Sequence, residues 1–188
     1  MKLSRWKTLN LALFALLLSF AQPVLSEGAF CIAAPATVPP VLDGRLSDGV
    51  WRTSIMATPF VVNDGLRLSV ERTAARVAWD PENLYVAFHC SDVNLNMGRK
   101  GRHHLRTSSK KHDDVNFFLD DVVELFVSRP ESSDYYHFAV NPLGQLFEER
   151  GRDRGFTCEW VAEAFIGDGF WSAEMRIPFR SLRIHDVH

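Results

Sequence analysis

The stretch FFLDDVVELFVSRP, residues 117–130, places one carboxylate, Glu124, within a run of β-branched and aromatic residues typical of a β-strand. An ionised carboxylate in such a strand needs solvent or hydrogen-bond partners, because unpaired burial costs several kcal/mol or more. We therefore expect Glu124 on the outer or concave face of a sheet. Because side chains alternate along a strand, we expect the core face to consist of Val123, Leu125 and Val127. The opposite face then consists of Val122, Glu124 and Phe126.

The rest of the chain continues this pattern of short apolar segments separated by Gly, Pro, Asp and Asn. No long amphipathic helical pattern interrupts it. Eight short strands in one domain favour an all-β fold of two packed antiparallel sheets, a β-sandwich of jelly-roll or immunoglobulin-like type. The predicted strands are residues 66–70, 74–79, 83–90, 122–128, 135–141, 145–150, 158–165 and 171–177.

The segment YYHFAVN, residues 135–141, alternates in the same way. Tyr136, Phe138 and Val140 are expected in the core, which leaves a polar face that consists of Tyr135, His137, Ala139 and Asn141. A carboxylate and a carboxamide beside aromatic rings suit a sugar, because polar groups bond its hydroxyls and rings stack on its C–H face.

Residues 1–26 have the pattern of a secretory signal peptide, with a basic start, an apolar stretch at residues 9–20 and a small-residue cleavage site at residues 24–26. The apolar stretch is shorter than the roughly 20 residues that span a bilayer. We expect a secreted or periplasmic protein that does not associate with a membrane after cleavage. Residues 27–37 read as a linker, and residues 38–188 as one domain.

Removal of residues 1–26 takes away three of the 21 basic residues and none of the 23 acidic ones, so the remaining net charge is −5 with His neutral. This balance argues against nucleic acid as a partner. Cys31, Cys90 and Cys158 permit one disulfide in an oxidising compartment, and the sequence does not say which.

Residues 96–114 carry six Lys or Arg and three His without a strand pattern. We expect a solvated loop that is poorly ordered and dispensable for folding. A basic patch that grips an anionic polymer is the alternative. The spacing of His103, His104 and His112 matches no closed zinc site, so the metal ligands stay unknown.

Five pieces in order, VPPVLDGRLSDGVW, ARVAWDPENLYVAFHCSD, FLDDVVELFVSRP, YYHFAVNPLGQLFEERG and GFWSAEMRIPFRSL, resemble the family 9 carbohydrate-binding modules and their DOMON-like relatives. The resemblance covers nearly all of residues 38–184. It implies a β-sandwich that binds polysaccharide or oligosaccharide chains, or their ends, without cleaving them. It also implies structural calcium, and a linked glycoside hydrolase as a possible partner domain.

The resemblance assigns carbohydrate binding to Phe118, Glu124 and Asn141, with Phe118 as one ring of an aromatic clamp. Ala139 stands where the family has a binding arginine. The second ring of the clamp would lie beyond residue 188, so we expect a domain that is incomplete at its C-terminus. Asp92 matches a position near the family's calcium ligands, and oxygen ligands suit that ion.

Large aromatic residues anchor sandwich interiors, so Trp51, Trp79 and Trp171 are expected in the core, whereas the sequence leaves the place of Trp160 open.

Two other functions remain open. A glycosidase would pair two carboxylates such as Glu124 and Glu148 about 5 to 10 Å apart, but no catalytic motif supports an enzyme. A DOMON-like redox module would hold haem through Met97 or Met175, although Met175 alternates with core residues.

Overall fold

The computed structural model describes residues 31–61, 68–69, 71–92, 105–109, 111–128 and 133–182. These form an antiparallel β-sandwich with one short helix, α1 (Gly49–Thr53), as the strand pattern predicts. Within the described ranges, no helix is long and apolar enough to cross a membrane. The strands are β1 (Ala34–Pro35), β2 (Met56–Ala57), β3 (Thr73–Trp79), β4 (Asn83–Ser91), β5 (Val123–Ser128), β6 (Tyr135–Val140), β7 (Leu146–Arg150), β8 (Val161–Gly167) and β9 (Phe170–Pro178).

Two sheets build the sandwich. The larger has the strand order β1-β3-β4-β9-β8, and β2 also pairs with β3. The smaller has the order β5-β6-β7. Pairing is antiparallel except between β1 and β3. Ala34 and Pro35, which fall in the predicted linker, are paired with Ala78 and Trp79 of β3.

Seven of the eight predicted strands correspond to β3–β9 with boundaries that differ by at most three residues. Of the remaining one, residues 66–70, only Leu68 and Ser69 are described, and Leu68 forms an isolated antiparallel bridge with Val61.

The core lies between the sheets. From the smaller sheet it takes the face predicted by alternation: Val123, Phe138 and Val140 are buried in it, and Leu125, Val127 and Tyr136 pack against it. The larger sheet contributes residues that include Val86, Phe88, Trp171, Ala173, Met175 and Ile177.

Three of the four tryptophans considered above are buried. Trp51 and Trp171 are buried as predicted, and Trp160 is buried as well. The prediction that Trp79 lies in the core is wrong, because Trp79 is 38% exposed. Trp79 is the last residue of β3, so it lies at the margin of the sheet rather than above the core.

A buried carboxylate holds the amino-terminal segment against the larger sheet. Glu174 of β9 is fully buried and accepts hydrogen bonds from the backbone N–H groups of Asp43 (2.9 Å) and Gly44 (2.7 Å) and from Trp51 Nε1 (2.6 Å). Burial raises the pKa of Glu174, while these donors act in the opposite direction. The LDG and Trp pieces of the sequence and the Glu of its last motif therefore form one structural unit.

The three cysteines are not paired with one another. Burial raises the pKa of the Cys90 thiol to about 12. The hydrogen bond with Thr73 acts in the opposite direction but is the smaller effect. Since the thiolate is the reactive form, Cys90 behaves as a small apolar residue of the sandwich.

Candidate functional site

The outer face of the smaller sheet carries the polar and aromatic residues that alternation predicts. Cross-strand pairing aligns Glu124 with Ala139 and Phe147, and the next row aligns Phe126 with His137 and Glu149. We call this surface the outer face; it consists of Glu124, Phe126, Tyr135, His137, Ala139, Phe147 and Glu149.

His137 is the centre of the outer face. Its Nε2 lies 2.9 Å from Glu124 Oε2, and its Nδ1 lies 3.3 Å from Glu149 Oε1. A neutral imidazole donates through one nitrogen only, whereas an imidazolium donates through both. His137 itself is buried, and the Glu124 side chain is 40% exposed. His137 therefore holds the carboxylate of Glu124 in place from below while one side of that carboxylate faces solvent.

Two phenyl rings frame this pair. The Phe126 ring stacks on the His137 ring with centroids 4.1 Å apart, and the Phe118 ring lies 5.7 Å from the same imidazole at 23°. Phe126 is 58% exposed and Phe118 is 41% exposed. Phe118 also packs edge-on against Phe147 at 4.8 Å. The outer face thus presents two exposed rings and a carboxylate around one buried histidine.

A cation completes the polar edge of this surface. Arg154 Nε lies 3.8 Å from Glu149 Oε2, and its guanidinium is 6.0 Å from the Phe147 ring centre. Its side chain is mostly exposed. Ala139, where the resemblance places a binding arginine, is fully buried and packs with Phe117 and Phe147.

Residues 105–109 and 111–122 cover the other end of the face. The carboxylate of Asp120 accepts hydrogen bonds from the backbone N–H groups of Ser108 (2.6 Å) and Ser109 (2.9 Å) and from Ser108 Oγ (2.7 Å). Leu105 packs against the core, and Ser109 is buried. The expectation of a solvated, poorly ordered loop is therefore wrong for residues 105–109 and for His112 and Asp113, which contact β7. Residues 96–104 and 110 lie outside the described ranges, and dispensability for folding stays a prediction.

Asp120 is ionised as a structural acceptor. Burial opposes ionisation, but the hydrogen bonds from Ser108, Ser109 and Asn141 outweigh it and hold the pKa of Asp120 at about 2.

The structure places Asn141 in this covered region and not on the open surface. Asn141 is fully buried, and its Nδ2 donates to Asp120 Oδ2 (3.0 Å) and to the Ser109 carbonyl (3.3 Å). Its Oδ1 accepts from the N–H groups of Leu143 and Gln145. All its hydrogen-bonding groups are used within the protein, so we correct the assignment of Asn141 from sugar ligand to structural residue.

Of the three predicted site residues, the structure thus brings Phe118 and Glu124 together around His137. Phe126 and His137 were placed on the same face by alternation but were not assigned a binding role. The place of Glu149 follows from the pairing of β7 with β6, and that of Arg154 from its ion pair with Glu149; no local sequence pattern reveals either.

The carboxylates of the glycosidase alternative cannot act as a pair. Glu124 is on the outer face, whereas Glu148 pairs in register with Phe138 on the core side of the same sheet. Glu148 is fully buried and accepts hydrogen bonds from Trp160 Nε1 (2.9 Å) and Thr157 Oγ1 (3.0 Å). The two side chains project from opposite faces of the sheet, so they cannot flank one glycosidic bond.

Met175, one of the two haem ligands considered, is fully buried among apolar core residues, as its alternation predicts. Its position therefore does not support the haem alternative. Met97 lies outside the described residues.

A cavity of about 340 Å³ beside β5 is lined in part by the acidic residues Glu71, Asp92, Asp121 and Glu124. In the described part of the chain, these residues do not gather three ligand atoms within coordination distance of one another. Asp121 Oδ2 instead accepts the N–H of Arg106 at 2.8 Å. Structural calcium near Asp92 stays a prediction.

No protein-family model matches the chain, and no curated protein sequence matches it. Solved structures do. A family 9 carbohydrate-binding module from Caldicellulosiruptor kristjanssonii, in complex with glucose, superposes with a TM-score of 0.52 at 20% identity, over 78% of this chain and 66% of that module. The fold is that of a family 9 carbohydrate-binding module. This chain spans just under two thirds of that module's length.

Two other structures have lower similarity to this family 9-type fold. A carbohydrate-binding protein of Bacteroides uniformis, described as putative, matches with a TM-score of 0.47 at 18% identity, over 63% of this chain and 57% of that one. The C. kristjanssonii module in complex with cellotriose matches with a TM-score of 0.47 at 20% identity, with coverages of 78% and 66%.

Proposed function

We propose that this protein is a non-catalytic carbohydrate-binding module that binds a glucose-containing glycan on the outer face of the smaller sheet. The observation that carries the proposal is the solvent-facing carboxylate of Glu124, which lies beside two exposed phenyl rings, Phe118 and Phe126, around the buried His137. The shared fold with a module that holds glucose supports the ligand class.

Each group has a distinct part in binding. Glu124 accepts hydrogen bonds from two sugar hydroxyls, and its charge makes these bonds roughly twice as strong as neutral ones. Phe118 and Phe126 offer apolar faces to the C–H surface of a pyranose ring. Arg154, at the far edge of the face, donates to a hydroxyl in place of the arginine that is missing at Ala139.

The protein binds the glycan without cleaving it: Glu148 lies on the opposite side of the sheet from Glu124, and Glu149, the second carboxylate of the outer face, is bonded to the same imidazole as Glu124 and paired with Arg154. The partner of Glu124 is a buried histidine, which suits a fixed acceptor. Export from the cytoplasm and a linked glycoside hydrolase belong to this proposal, supported by the signal pattern of residues 1–26 and by the resemblance.

Isothermal titration of the purified chain with glucose and a set of soluble gluco-oligosaccharides tests the proposal. Glu124→Gln keeps the shape of the side chain and removes its charge. We expect it to weaken binding by about 1.5–3 kcal/mol, roughly 10- to 150-fold, with little change in melting temperature.

Glu159→Gln is the matched control, because Glu159 is an exposed glutamate that pairs with Arg180 away from the outer face. It should bind like the parent protein. If Glu124→Gln also binds like the parent but melts at a clearly lower temperature, Glu124 is a structural partner of His137 and the proposed site is wrong.

A further inference from the structure

A second cluster of ligand-type side chains lies on the other side of the smaller sheet. It consists of His112, Asp113 and Glu148, whose ligand atoms all lie within 4.8 Å of one another. His112 Nε2 is 2.5 Å from Glu148 Oε2 and 3.6 Å from Asp113 Oδ1. Because Glu148 faces away from the outer face, this cluster takes no part in the proposed sugar site.

The backbone brings two consecutive side chains to the same carboxylate. Asp113 has a φ of 53°, in the left-handed region, which reverses the chain at this point. Its N–H donates to the Leu146 carbonyl (3.1 Å), and its Oδ1 accepts the N–H of Glu148 (3.3 Å). Residues 112 and 113 are thereby fixed along the edge of β7, and both reach Glu148.

Glu148 is held as a ligand would be. It is fully buried, and Trp160 Nε1 and Thr157 Oγ1 fix its two oxygens from the protein side. Hydrogen bonds of this kind to a ligating carboxylate are a regular feature of metal sites. His112 and Asp113 are nearly half exposed, so an ion has access and the histidine can withdraw to admit it.

We propose that His112, Asp113 and Glu148 bind a divalent transition ion of the Zn²⁺ type. One imidazole nitrogen and two carboxylate oxygens form a three-ligand set that suits Zn²⁺ and leaves a fourth position for water. The nitrogen ligand distinguishes the site from one for Ca²⁺, which takes oxygen ligands. The bound ion ties the segment that carries Phe117 and Phe118 to β7, which is 36 positions away in sequence.

Calorimetric titration of tag-free protein with ZnCl₂ tests this proposal, with CaCl₂ as the comparison ion. We expect one Zn²⁺ per chain, a melting temperature that rises with Zn²⁺, and Zn²⁺ binding for which Ca²⁺ does not compete. His112→Gln and Asp113→Asn should each weaken Zn²⁺ binding at least tenfold. Both side chains are partly exposed, so both variants should fold.

His89→Gln is the control for a general effect of histidine removal, because His89 lies in β4 of the larger sheet, stacked on Phe170. It should bind Zn²⁺ like the parent. Co²⁺ provides a second readout, since its visible absorption spectrum should show a low-coordinate site that disappears in His112→Gln. The proposal is overturned if the parent binds no Zn²⁺, or if both His112→Gln and Asp113→Asn bind it unchanged.

Discussion

Asn141 and Asp120 are joined by a buried hydrogen bond, from Asn141 Nδ2 to Asp120 Oδ2 at 3.0 Å. Asn141 simultaneously organises the turn between β6 and β7 through the N–H groups of Leu143 and Gln145. Asp120 organises the segment at Ser108 and Ser109. One side-chain contact therefore couples a tight turn to the segment that covers the sheet.

Replacement of Asn141 by Ala should destabilise the protein rather than weaken sugar binding. It removes four hydrogen bonds and leaves the N–H groups of Leu143 and Gln145 without their acceptor. We expect a loss of at least about 2 kcal/mol in the free energy of unfolding, measured by urea denaturation. Glycan affinity, measured well below the melting temperature, should change less than twofold. A variant that melts like the parent but loses binding would return Asn141 to the binding site.

The stability that Asp120 contributes should depend on pH. Its folded pKa of about 2 lies below the ordinary value of 3.8, so its contribution is present above pH 3.8 and is lost as pH falls toward 2. Asp120→Asn should therefore remove about 2 kcal/mol of the pH-dependent stability between pH 6 and pH 2. Urea denaturation at these two pH values measures it, with the exposed Asp168→Asn as control. Parallel pH profiles for the parent and Asp120→Asn would contradict the assignment.

The two exposed rings, Phe118 and Phe126, should both contribute to glycan binding. Phe118→Ala removes a stacking surface and should weaken glycan binding by about 1 kcal/mol, roughly fivefold, as measured by titration. Phe126→Ala should weaken binding to a similar extent. Both variants should lower the melting temperature, because the Phe126 ring stacks on His137 at 4.1 Å and the Phe118 ring packs against Phe147 at 4.8 Å. Val115→Ala, an exposed change in the same segment as Phe118, should alter neither quantity. Equal affinity in all three variants would show that the rings do not contact the ligand.

Gly44 and Gly144 have nearly the same backbone conformation but differ in the space available for a Cβ atom, so a substitution by Ala at each separates steric clash from backbone strain. Both have positive φ, 74° and 73°. A Cβ on Gly44 would lie 2.5 Å from the backbone carbon of Ala164, whereas a Cβ on Gly144 would meet nothing closer than 4.0 Å. Gly144→Ala should cost only the backbone strain of about 1–2 kcal/mol, and Gly44→Ala should cost several kcal/mol, because the clash is with backbone. Thermal and urea denaturation compare them; similar losses would mean that the contact at Ala164 relaxes freely.

The strands of this fold could be predicted because each carries its own alternating pattern. Val123, Leu125 and Val127 were assigned to the core from spacing alone, and the structure confirms it. β1 and β2 could not be predicted, since two residues show no periodicity and are selected only by pairing with β3. Trp79 was misplaced because the size of an aromatic side chain does not show where along a strand the core ends.

The site was harder to predict for a related reason. Phe118, Glu124 and Asn141 were all assigned from the motifs around them, and alternation also placed Asn141 on the polar face. Its environment is made by Ser109 and Asp120, 32 and 21 positions away, whose side chain and backbone contacts follow no period. The role of Glu149 likewise depends on the register between β6 and β7, and that of Arg154 on its ion pair with Glu149.

The contacts of Glu174 also determine the order in which the protein can assemble. Its donors at Asp43, Gly44 and Trp51 precede it by 123 to 131 positions. At roughly 5–20 residues per second, synthesis of that interval takes on the order of 6 to 26 seconds. During this time the Trp51 ring lacks its acceptor and the larger sheet lacks β9, so an apolar surface is exposed. Completion of β9 supplies the acceptor for these donors, and a chain interrupted before Glu174 lacks the carboxylate that holds its amino-terminal segment.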